Sequence, residues 1–338
     1  MNYSDIEKLK RLRATFDLNY KLTGLYANYL SAFPDIISED LVNTLCEGSD
    51  ITKEEAIIAL LCEIFHLDDA SGTEDRRLIR EYIRPSVRIL NTAKYTENPY
   101  YKNIALKDVK IDNWEIKWEY YPPYRAAICH DMIINSDFSE IPPLGFFTEG
   151  FHFPAVLEDG NEWMTLTPVD IDTCDDAIDY AHGKVVTFGL GLGYFAYMVS
   201  EKENVESVTV IEKSEKVIKL FSERILPSFK HPEKIRIINE DAFIYAERQM
   251  PKENYDYAFV DTWRDASDGA PMYKRMKALE HLSKNTKFDY WIENFLVSRL
   301  RAIKFEELWQ LYESGSEDMP KSYYEFIERL NDVNGTDI

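Results

Sequence analysis

The sequence predicts an α/β protein with a mostly parallel sheet in its C-terminal half, and three observations support this. A β-branched strand over 184–188 leads through a glycine-rich turn and a helical stretch to a second strand, 208–212, which ends in an acid. Two further apolar strands, 234–238 and 255–261, are also followed by or end in acidic residues. Strands that alternate with helical patterns are typical of parallel sheets.

Composition indicates a globular protein with an acidic surface. The chain has 338 residues, enough for two domains with a core each, and 45% of them are hydrophobic. The formal net charge is −21, and short basic clusters such as 8–13 lie on helical patterns. Such a surface repels phosphate backbones, so we expect no nucleic-acid partner. It favours a small neutral or cationic substrate instead.

Terminal and cysteine patterns predict a cytoplasmic protein without a membrane segment. The first residues resemble neither a signal nor a transit peptide, and the longest apolar run, 56–62, is too short to span a bilayer. The four cysteines are scattered, which indicates reduced thiols. The six histidines form no ligand pair, so no metal site is predicted from them.

Residues 1–95 predict a helical N-terminal domain. Apolar residues recur at helical spacing from Leu9 to Tyr29, and Thr52-Lys-Glu-Glu55 forms a capping box before the apolar helix 56–65. A further helix is predicted over 76–90. The apolar faces are expected to form a core, and these helices are also a candidate homodimer surface.

Residues 96–182 predict a β-rich connecting segment with many aromatic side chains. The run 109–120 alternates in places, as strands do, and Asp159-Gly160 is typical of a hairpin turn. Trp163 and Met164 follow that turn. They are expected either to cover a bound ligand or to pack a domain junction.

The segment 183–338 is predicted to bind a nucleoside at its glycine-rich turn. Gly189, Gly191 and Gly193 remove β-carbons where a ligand approaches the backbone, and the following helix presents unpaired N–H groups. Glu212, at the end of the second strand, is placed to accept hydrogen bonds from a ribose diol. The glycine spacing alone does not decide which nucleoside cofactor binds there.

The later strand ends make the chain similar to the class I S-adenosylmethionine (SAM) dependent methyltransferases, with a Rossmann-like sheet. The resemblance covers about residues 183–294. It rests on the G-x-G-x-G run from Gly189, on Glu212, on Asp241-Ala242 and on Asp261. It implies that the turn lies under the methionine part of SAM, that Glu212 binds ribose, and that Asp241-Ala242 contacts adenine.

The same resemblance suggests roles for residues beside these motifs. Lys213 is counted with the cofactor-binding residues because it follows Glu212. Thr187 stands where most relatives have an acid that holds the SAM amino group. Its hydroxyl can accept such a bond without supplying charge, so Thr187 is a candidate cofactor-binding residue and another acid is a candidate for the charge. As a β-branched residue, Thr187 also fits a plain strand position.

Asp261, Trp263 and Asp265 are the candidate catalytic residues. Methyl transfer from SAM is an in-line displacement in which the protein aligns the reactants and excludes water. Asp261 would bind the acceptor or remove its proton, Trp263 would offer a π-face to a cation, and Asp265 would face the site. The predicted function is therefore methyl transfer from SAM to a small neutral or cationic acceptor, such as an amine.

Four alternatives remain open at this stage. The segment before the glycine turn resembles spermidine synthases, which transfer an aminopropyl group from decarboxylated SAM. Metal-dependent O-methylation would use Asp261, Glu293 and Asn294, since oxygen ligands suit Mg²⁺. The run from Gly191 to Ala196 also fits the dinucleotide fingerprint of NAD-dependent oxidoreductases. A non-catalytic SAM-fold module is the last alternative.

The C-terminal part predicts one more strand, 288–292, and two helices, 300–312 and 323–330. No antiparallel strand pair is visible after them. We therefore expect a sheet that stops at five strands or borrows strands from 96–182.

Overall fold

The computed structural model describes residues 1–70, 73–104, 109–111 and 113–333. The α-helices are α1 (Tyr3–Ala32), α2 (Glu39–Gly48), α3 (Lys53–Ile64), α4 (Thr73–Arg77), α5 (Arg84–Ser86), α6 (Thr92–Thr96), α7 (Pro99–Asn103), α8 (Pro168–Asp172), α9 (Asp175–Tyr180), α10 (Tyr194–Ser200), α11 (Glu215–Arg224), α12 (Ala242–Arg248), α13 (Ala266–Lys277), α14 (Glu293–Glu313) and α15 (Tyr323–Asn331). The strands are β1 (Val87–Leu90), β2 (Val109–Ile111), β3 (Trp114–Tyr121), β4 (Ala126–Ile128), β5 (Ile133–Ile134), β6 (Glu140–Ile141), β7 (Leu144–Phe147), β8 (Phe151–Glu158), β9 (Asn161–Thr165), β10 (Gly183–Phe188), β11 (Val205–Glu212), β12 (Ile235–Asn239), β13 (Tyr257–Val260) and β14 (Lys287–Tyr290). A π-helical turn, Leu78–Ile83, joins α4 to α5, and short 3₁₀ turns occur at Leu226–Ser228, Pro232–Lys234, Met250–Lys252 and Glu280–Leu282.

The chain forms two compact units, each built from separate stretches of sequence. The helical unit consists of Met1–Leu90, Pro122–Gly150 and Asn294–Ile338. The sheet unit consists of Asn91–Tyr121 and Phe151–Glu293. The three segments predicted from the sequence are therefore grouped differently. Part of the connecting segment and the C-terminal helices belong with the N-terminal helices.

Long-range apolar contacts explain why the C-terminal helices join the helical unit. The first turns of α1 present Leu9, Leu12 and Phe16 to a core that α14 and α15 complete. Within it, Phe16 stacks on Phe305 with ring centroids 3.9 Å apart. A second core, formed by the rest of α1 with α2, α3, the π-helical turn and β7, includes the fully buried Leu22. This packing depends on residues far apart in sequence, which local patterns do not reveal.

The sheet unit is built on five parallel strands in the order β12-β11-β10-β13-β14. Strand β13 is buried throughout and β10 is buried from Val185 onward, as expected when helices cover both faces of a parallel sheet. The chain leaves β10 toward β11 on one side, and β13 lies on the other side. The carboxyl ends of β10 and β13 therefore form a topological switch point, where α/β sheets place their ligands.

A separate antiparallel sheet in the same unit has the order β2-β3-β8-β9. The turn between β8 and β9 contains Asp159 and Gly160, with φ values of 53° and 80°. Both angles are left-handed, as a two-residue hairpin turn requires. The hairpin predicted from Asp-Gly is therefore present at that position.

The mixed α/β class, the helical N-terminal part and the parallel sheet agree with the prediction. Among the described residues, that sheet has five strands and takes none from 96–182. The helix predicted over 76–90 is wrong at its end, because Val87–Leu90 form β1, which pairs in parallel with β7. The β-branched side chains of this run suit a strand, and pairing with β7 outweighs the helical pattern.

None of the described helices combines the length and apolar character needed to cross a bilayer.

We expect Phe305→Ala to destabilise the helical unit by about 3–5 kcal/mol, because it removes a fully buried ring stacked on Phe16. Thermal unfolding followed by circular dichroism measures the effect. Tyr324→Ala is the matched control, since that side chain is 77% exposed. An equal change in both variants would contradict the packing of α1 against α14.

Candidate functional site

The glycine-rich turn after β10 follows a backbone path that excludes side chains. Gly189, Gly191 and Gly193 have φ values of 98°, 50° and 77°, all in the left-handed region. A Cβ at Gly189 would lie 1.8 Å from the carbonyl oxygen of Asp261, and one at Gly193 would lie 2.3 Å from the Phe221 ring. These two glycines are therefore required by packing within the sheet unit.

Gly191 differs because its open face is covered only by the tip of a flexible side chain. A Cβ there would lie 2.3 Å from both Sδ and Cε of Met164. The Met164 sulfur also accepts a hydrogen bond from the Leu192 amide at 3.0 Å. Met164 therefore closes over the turn from β9.

Glu212, at the carboxyl end of β11, is buried and binds the turn directly. Its Oε2 accepts from the Leu190 amide at 3.2 Å and its Oε1 from the Ser214 amide at 2.8 Å. These bonds fix the carboxylate beside the glycine turn. Each carboxylate oxygen can accept a further hydrogen bond, so ribose hydroxyls still have acceptors here. Lys213 follows with an exposed side chain.

Asp241 lies at the next strand end and caps α12. Its Oδ1 accepts from the amides of Phe243 and Ile244, at 3.0 and 3.1 Å. These are the hydrogen bonds that an N-cap carboxylate usually accepts, and they leave Oδ2 without a bond to the helix. Ala242, which opens the helix, is buried. The pair therefore offers an acceptor beside a small apolar surface.

A cavity of about 530 Å³ lies at this edge of the sheet, within the sheet unit. Its volume is in the range of small-molecule sites. Eight acidic and two basic side chains line it, and its aromatic residues include three tryptophans. The acids are Glu158, Glu162, Asp170, Glu212, Glu240, Asp241, Asp261 and Asp268; the bases are Lys213 and Arg264.

Most residues predicted to form the site line this cavity. They are Gly189, Gly191, Glu212, Lys213, Asp241, Ala242, Asp261 and Trp263. Thr187 lines an adjoining recess instead, and Gly193 faces Phe221. Trp163 and Met164 line the cavity as well.

Asp265 is placed differently, because its carboxylate caps α13. It accepts from the Ser267 amide at 2.6 Å, and Asp268 completes the capping box. The hydrogen bonds from Ser267 hold the pKa of Asp265 below its usual range. Asp268, from the same turn, is the acid that lines the cavity.

Two carboxyl groups at the centre of the site resist ionisation. Burial, with the negative charges of Asp170 and Glu212, raises the pKa of Asp261 to about 8. Burial also raises the pKa of Asp170 to about 6, although hydrogen bonds from Thr167 oppose this shift. A cation in the cavity would favour the charged form of both groups.

Two polar atoms after β13 are buried without a hydrogen-bond partner in the described part of the chain. They are Oγ1 of Thr262 and Nε1 of Trp263. The Trp263 ring stacks on Tyr290 with centroids 6.4 Å apart. Buried polar atoms are rarely left unpaired in native proteins, so both point to a missing partner at this loop.

The residues of the metal-dependent alternative have other partners. Glu293 accepts from the Tyr273 hydroxyl at 2.7 Å and pairs with Lys277 at 3.1 Å. The side-chain amide nitrogen of Asn294 donates to the Met132 carbonyl at 2.9 Å. Within the described ranges, no group of three or more His, Cys, Asp or Glu side chains is arranged to hold a metal ion.

Sequence reasoning missed several residues that line the cavity, among them Asp170, Asp268 and Trp291. Thr167-Pro-Val-Asp170 is recognisable as a capping box, but that pattern indicates only a helix start. Trp291 follows β14, and its Nε1 donates to Thr173 at 2.9 Å. Only the folded chain shows that these residues lie at one edge.

Comparisons with known proteins add little to this picture. No protein-family model matches the sequence. No curated protein matches it either. Solved structures similar to this chain include a spermidine synthase from Thermotoga maritima, at 14% identity and a TM-score of 0.31. The match covers 59% of this chain, which spans 62% of that enzyme's length. A likeness of this size carries no argument about activity.

The raised pKa of Asp261 predicts that stability falls as pH rises. The folded protein holds a proton on this carboxyl up to pH about 8, whereas its ordinary pKa is 3.8, so the folded state loses stability between these values. Asp261→Asn removes this dependence. We therefore expect the midpoint of thermal unfolding of Asp261→Asn, relative to that of the wild type, to rise as the pH is raised from about 5 to about 9.

Asp176→Asn is the control for that experiment, because it removes an exposed carboxylate from α9. Its difference from the wild type should change less over the same pH range. A pH-independent difference between Asp261→Asn and the wild type would show that Asp261 is ionised throughout.

Proposed function

We propose that this chain is a transferase of the class I SAM-dependent type that binds SAM in the acid-lined cavity and moves its methyl group to a small neutral or cationic acceptor. The observation that carries the proposal is the gathering of Glu212, Asp241 and Asp261 around one cavity beside the glycine turn. These acids end three different strands or the loops after them. Their separate sequence motifs predict contacts to different parts of one nucleoside.

The residues present fit such a ligand. Glu212 is held by two backbone amides with acceptor capacity to spare, which suits a ribose diol. Asp241 keeps one carboxylate oxygen free of the helix cap, which suits the exocyclic amine of adenine. Thr262 and Trp263 supply polar atoms that lack partners. Lys213 borders the cavity at the ribose side, next to Glu212.

The charge of the cavity favours a sulfonium compound over a dinucleotide. Eight acids and two bases line it, so the local potential attracts cations. SAM brings a positive sulfur into this field. The pyrophosphate of NAD would bring two negative charges close to Asp170 and Asp261, which burial already makes reluctant to ionise.

Bound SAM supplies a methyl group attached to a positive sulfur. The sulfur leaves as a neutral thioether and needs no proton from the protein. The protein's part is to align the acceptor and to exclude water. An amine acceptor that is protonated at neutral pH must first lose a proton, and Asp261, the first residue after β13, is the candidate to take it. Without a bound cation the raised pKa keeps Asp261 protonated at neutral pH, and the positive sulfur of SAM would favour the charged carboxylate that acts as the base.

Trp263 and Asp268 are proposed to position the acceptor from the loop after β13. The ring of Trp263 lines the cavity and can bind a cation through its π-face. Asp265 keeps its predicted place near this loop, but its carboxylate is committed to the helix cap. Asp268 therefore replaces it as the acid that faces the acceptor.

Aminopropyl transfer from decarboxylated SAM is the second candidate function. The recess beside Thr187 is lined by Asp170 and Asp261, and no basic side chain of the described residues borders it. The tail of SAM carries a carboxylate, which would find no opposite charge in this lining. The tail of decarboxylated SAM carries only an amine, which the two acids would attract. In this reaction the acceptor amine would attack the carbon of the tail that is bound to sulfur.

Binding of SAM tests the main proposal through Gly191→Ala. The added Cβ meets the tip of Met164 in the cavity at a left-handed φ, so we expect the Kd for SAM, measured by titration calorimetry, to rise about tenfold or more. Gly24→Ala is the control, since nothing lies within 4 Å of a Cβ there. Unchanged affinity in both variants would contradict binding at this turn.

The nucleoside product separates the two candidate reactions. Incubation of the protein with a diamine and either SAM or decarboxylated SAM, followed by mass spectrometry, identifies it. Methyl transfer from SAM leaves S-adenosylhomocysteine, whereas aminopropyl transfer leaves 5′-methylthioadenosine. We expect the first product from SAM, and its loss in Asp261→Asn. Methylthioadenosine formed only from the decarboxylated compound would establish the second candidate instead.

A further inference from the structure

A cluster of aromatic rings and charged groups, which we call the Lys277 cage, lies at the C-terminal end of α13 in the sheet unit. Its members are Lys277, Tyr273, Tyr290, Glu280 and Glu293. The Lys277 ammonium lies over two rings, 4.4 Å from the centroid of Tyr290 and 5.4 Å from that of Tyr273. It also pairs with Glu280 and Glu293, at 3.1 Å each. Two π-faces and two carboxylates therefore hold one cation.

The two tyrosine hydroxyls close the cage. Tyr290 donates to Glu280 and Tyr273 donates to Glu293, each at 2.7 Å. Burial and the neighbouring carboxylates raise the pKa of both tyrosines, so each hydroxyl keeps the proton that it donates. The two rings meet edge to face, with centroids 5.0 Å apart. Each member of the cage therefore contacts at least two others.

The cage supports Trp263, in the loop that joins β13 to α13. The ring of Trp263 lies nearly parallel to that of Tyr290, at an angle of 10° and with centroids 6.4 Å apart. Both side chains are almost fully buried, at 6% and 5% exposure. Because a close-packed interior leaves little free space, a shift of the Tyr290 ring would be passed on to Trp263.

We propose that Lys277 is a positioning residue, which acts through Tyr290 to hold the Trp263 ring at the cavity. The inference rests on the proposed function, in which Trp263 offers its π-face to a cationic acceptor. Trp263 lines the cavity, whereas Lys277 and Tyr290 do not. Lys277 therefore affects the acceptor through the position of one ring.

Loss of the ammonium would change the cage in a defined direction. Glu280 and Glu293 would remain as like charges without the cation that they share, and like charges repel. Each of them also accepts from a tyrosine hydroxyl. As the carboxylates separate, Tyr290 would move with Glu280 and leave the place where it supports Trp263.

An ordinary surface ion pair would not have this effect. Exposed pairs contribute little, because water screens them and each side chain loses freedom on pairing. The Lys277 side chain is only 24% exposed, and its ammonium has two aromatic partners in addition to two acids. The cage therefore fixes ring positions, which an isolated exposed pair does not.

The indole N–H resonance of Trp263 tests the positioning without any ligand. The chain has six tryptophans, so its indole signals are few, and the one that is lost in Trp263→Phe belongs to Trp263. We expect Lys277→Met to shift or broaden this signal, while the signals of Trp114 and Trp118 on β3 stay in place. Lys277→Arg keeps the cation and should return the signal toward its wild-type position. Lys284→Met, which removes an exposed lysine, is the matched control.

Kinetics show whether the position of Trp263 matters to the acceptor. With SAM and 1,4-diaminobutane as the probe, we expect Lys277→Met to raise the KM for the diamine about 3- to 10-fold, the range that one cation–π contact carries. The Kd for SAM, measured by titration calorimetry, should change by less than about twofold. Tyr290→Phe keeps the ring without its bond to Glu280, and it should raise the same KM by less. Circular dichroism and thermal unfolding confirm that each variant is folded, and Tyr290→Phe carries the test if Lys277→Met is not.

The outcomes separate this inference from the proposed function. An unchanged Trp263 signal in Lys277→Met, or equal losses for SAM and the diamine, would overturn the positioning role and leave the proposed function in place. If the wild type neither binds SAM nor forms product, the proposed function fails, and the Trp263 signal alone decides whether Lys277 holds this ring. A changed signal together with a selective rise in the KM for the diamine supports both.

Discussion

The close approach of the Gly189 backbone to the carbonyl of Asp261 is the constraint on which the candidate site depends. Parallel strands β10 and β13 end side by side, and the Asp261 amide donates to the Phe188 carbonyl at 2.9 Å. A side chain at 189 would separate them, because its Cβ would overlap that carbonyl oxygen. Glycine at this position therefore does two things. It closes the sheet edge, and it places the Asp261 carboxylate beside the turn, where a nucleoside tail would lie.

Electrostatics give this edge its chemical character. Carboxylates from successive strand ends and from the capping box of α8 are brought together in a partly desolvated space, where burial and the charges of Asp170 and Glu212 raise the pKa of Asp261. Either a proton or a bound cation relieves this repulsion without moving the chain. The net charge of the whole chain is negative as well, but a diffuse surface charge would not select one ligand. Any selectivity for a cationic ligand would therefore come from the few acids that are buried together.

The strand ends could be predicted from sequence because their determinants are local. Glycines, a β-branched run and an acid at the end of each strand lie within a few residues of one another, and the Asp159-Gly160 turn follows the same logic. Asp170 could not be predicted as part of the site, since its local pattern describes only a helix cap. The same limit applies to Asp265 and Asp268. Both fit a capping box, and only the fold shows which one faces the cavity. Val87–Leu90 were misjudged because their partner, β7, lies more than fifty residues further along the chain.

The discontinuous makeup of the helical unit has a consequence for how the chain is made. The ribosome releases α1 first, yet one of its cores stays incomplete until Phe305, Phe326 and Leu330 have been synthesised. The parallel strands, by contrast, all come from one uninterrupted stretch, β10 to β14, that is finished before α14 begins. During translation we therefore expect the parallel sheet to acquire structure before the apolar face of α1 can pack against α14 and α15. In this interval the exposed apolar residues of α1, at the amino terminus of the nascent chain, would be the surface that a chaperone binds.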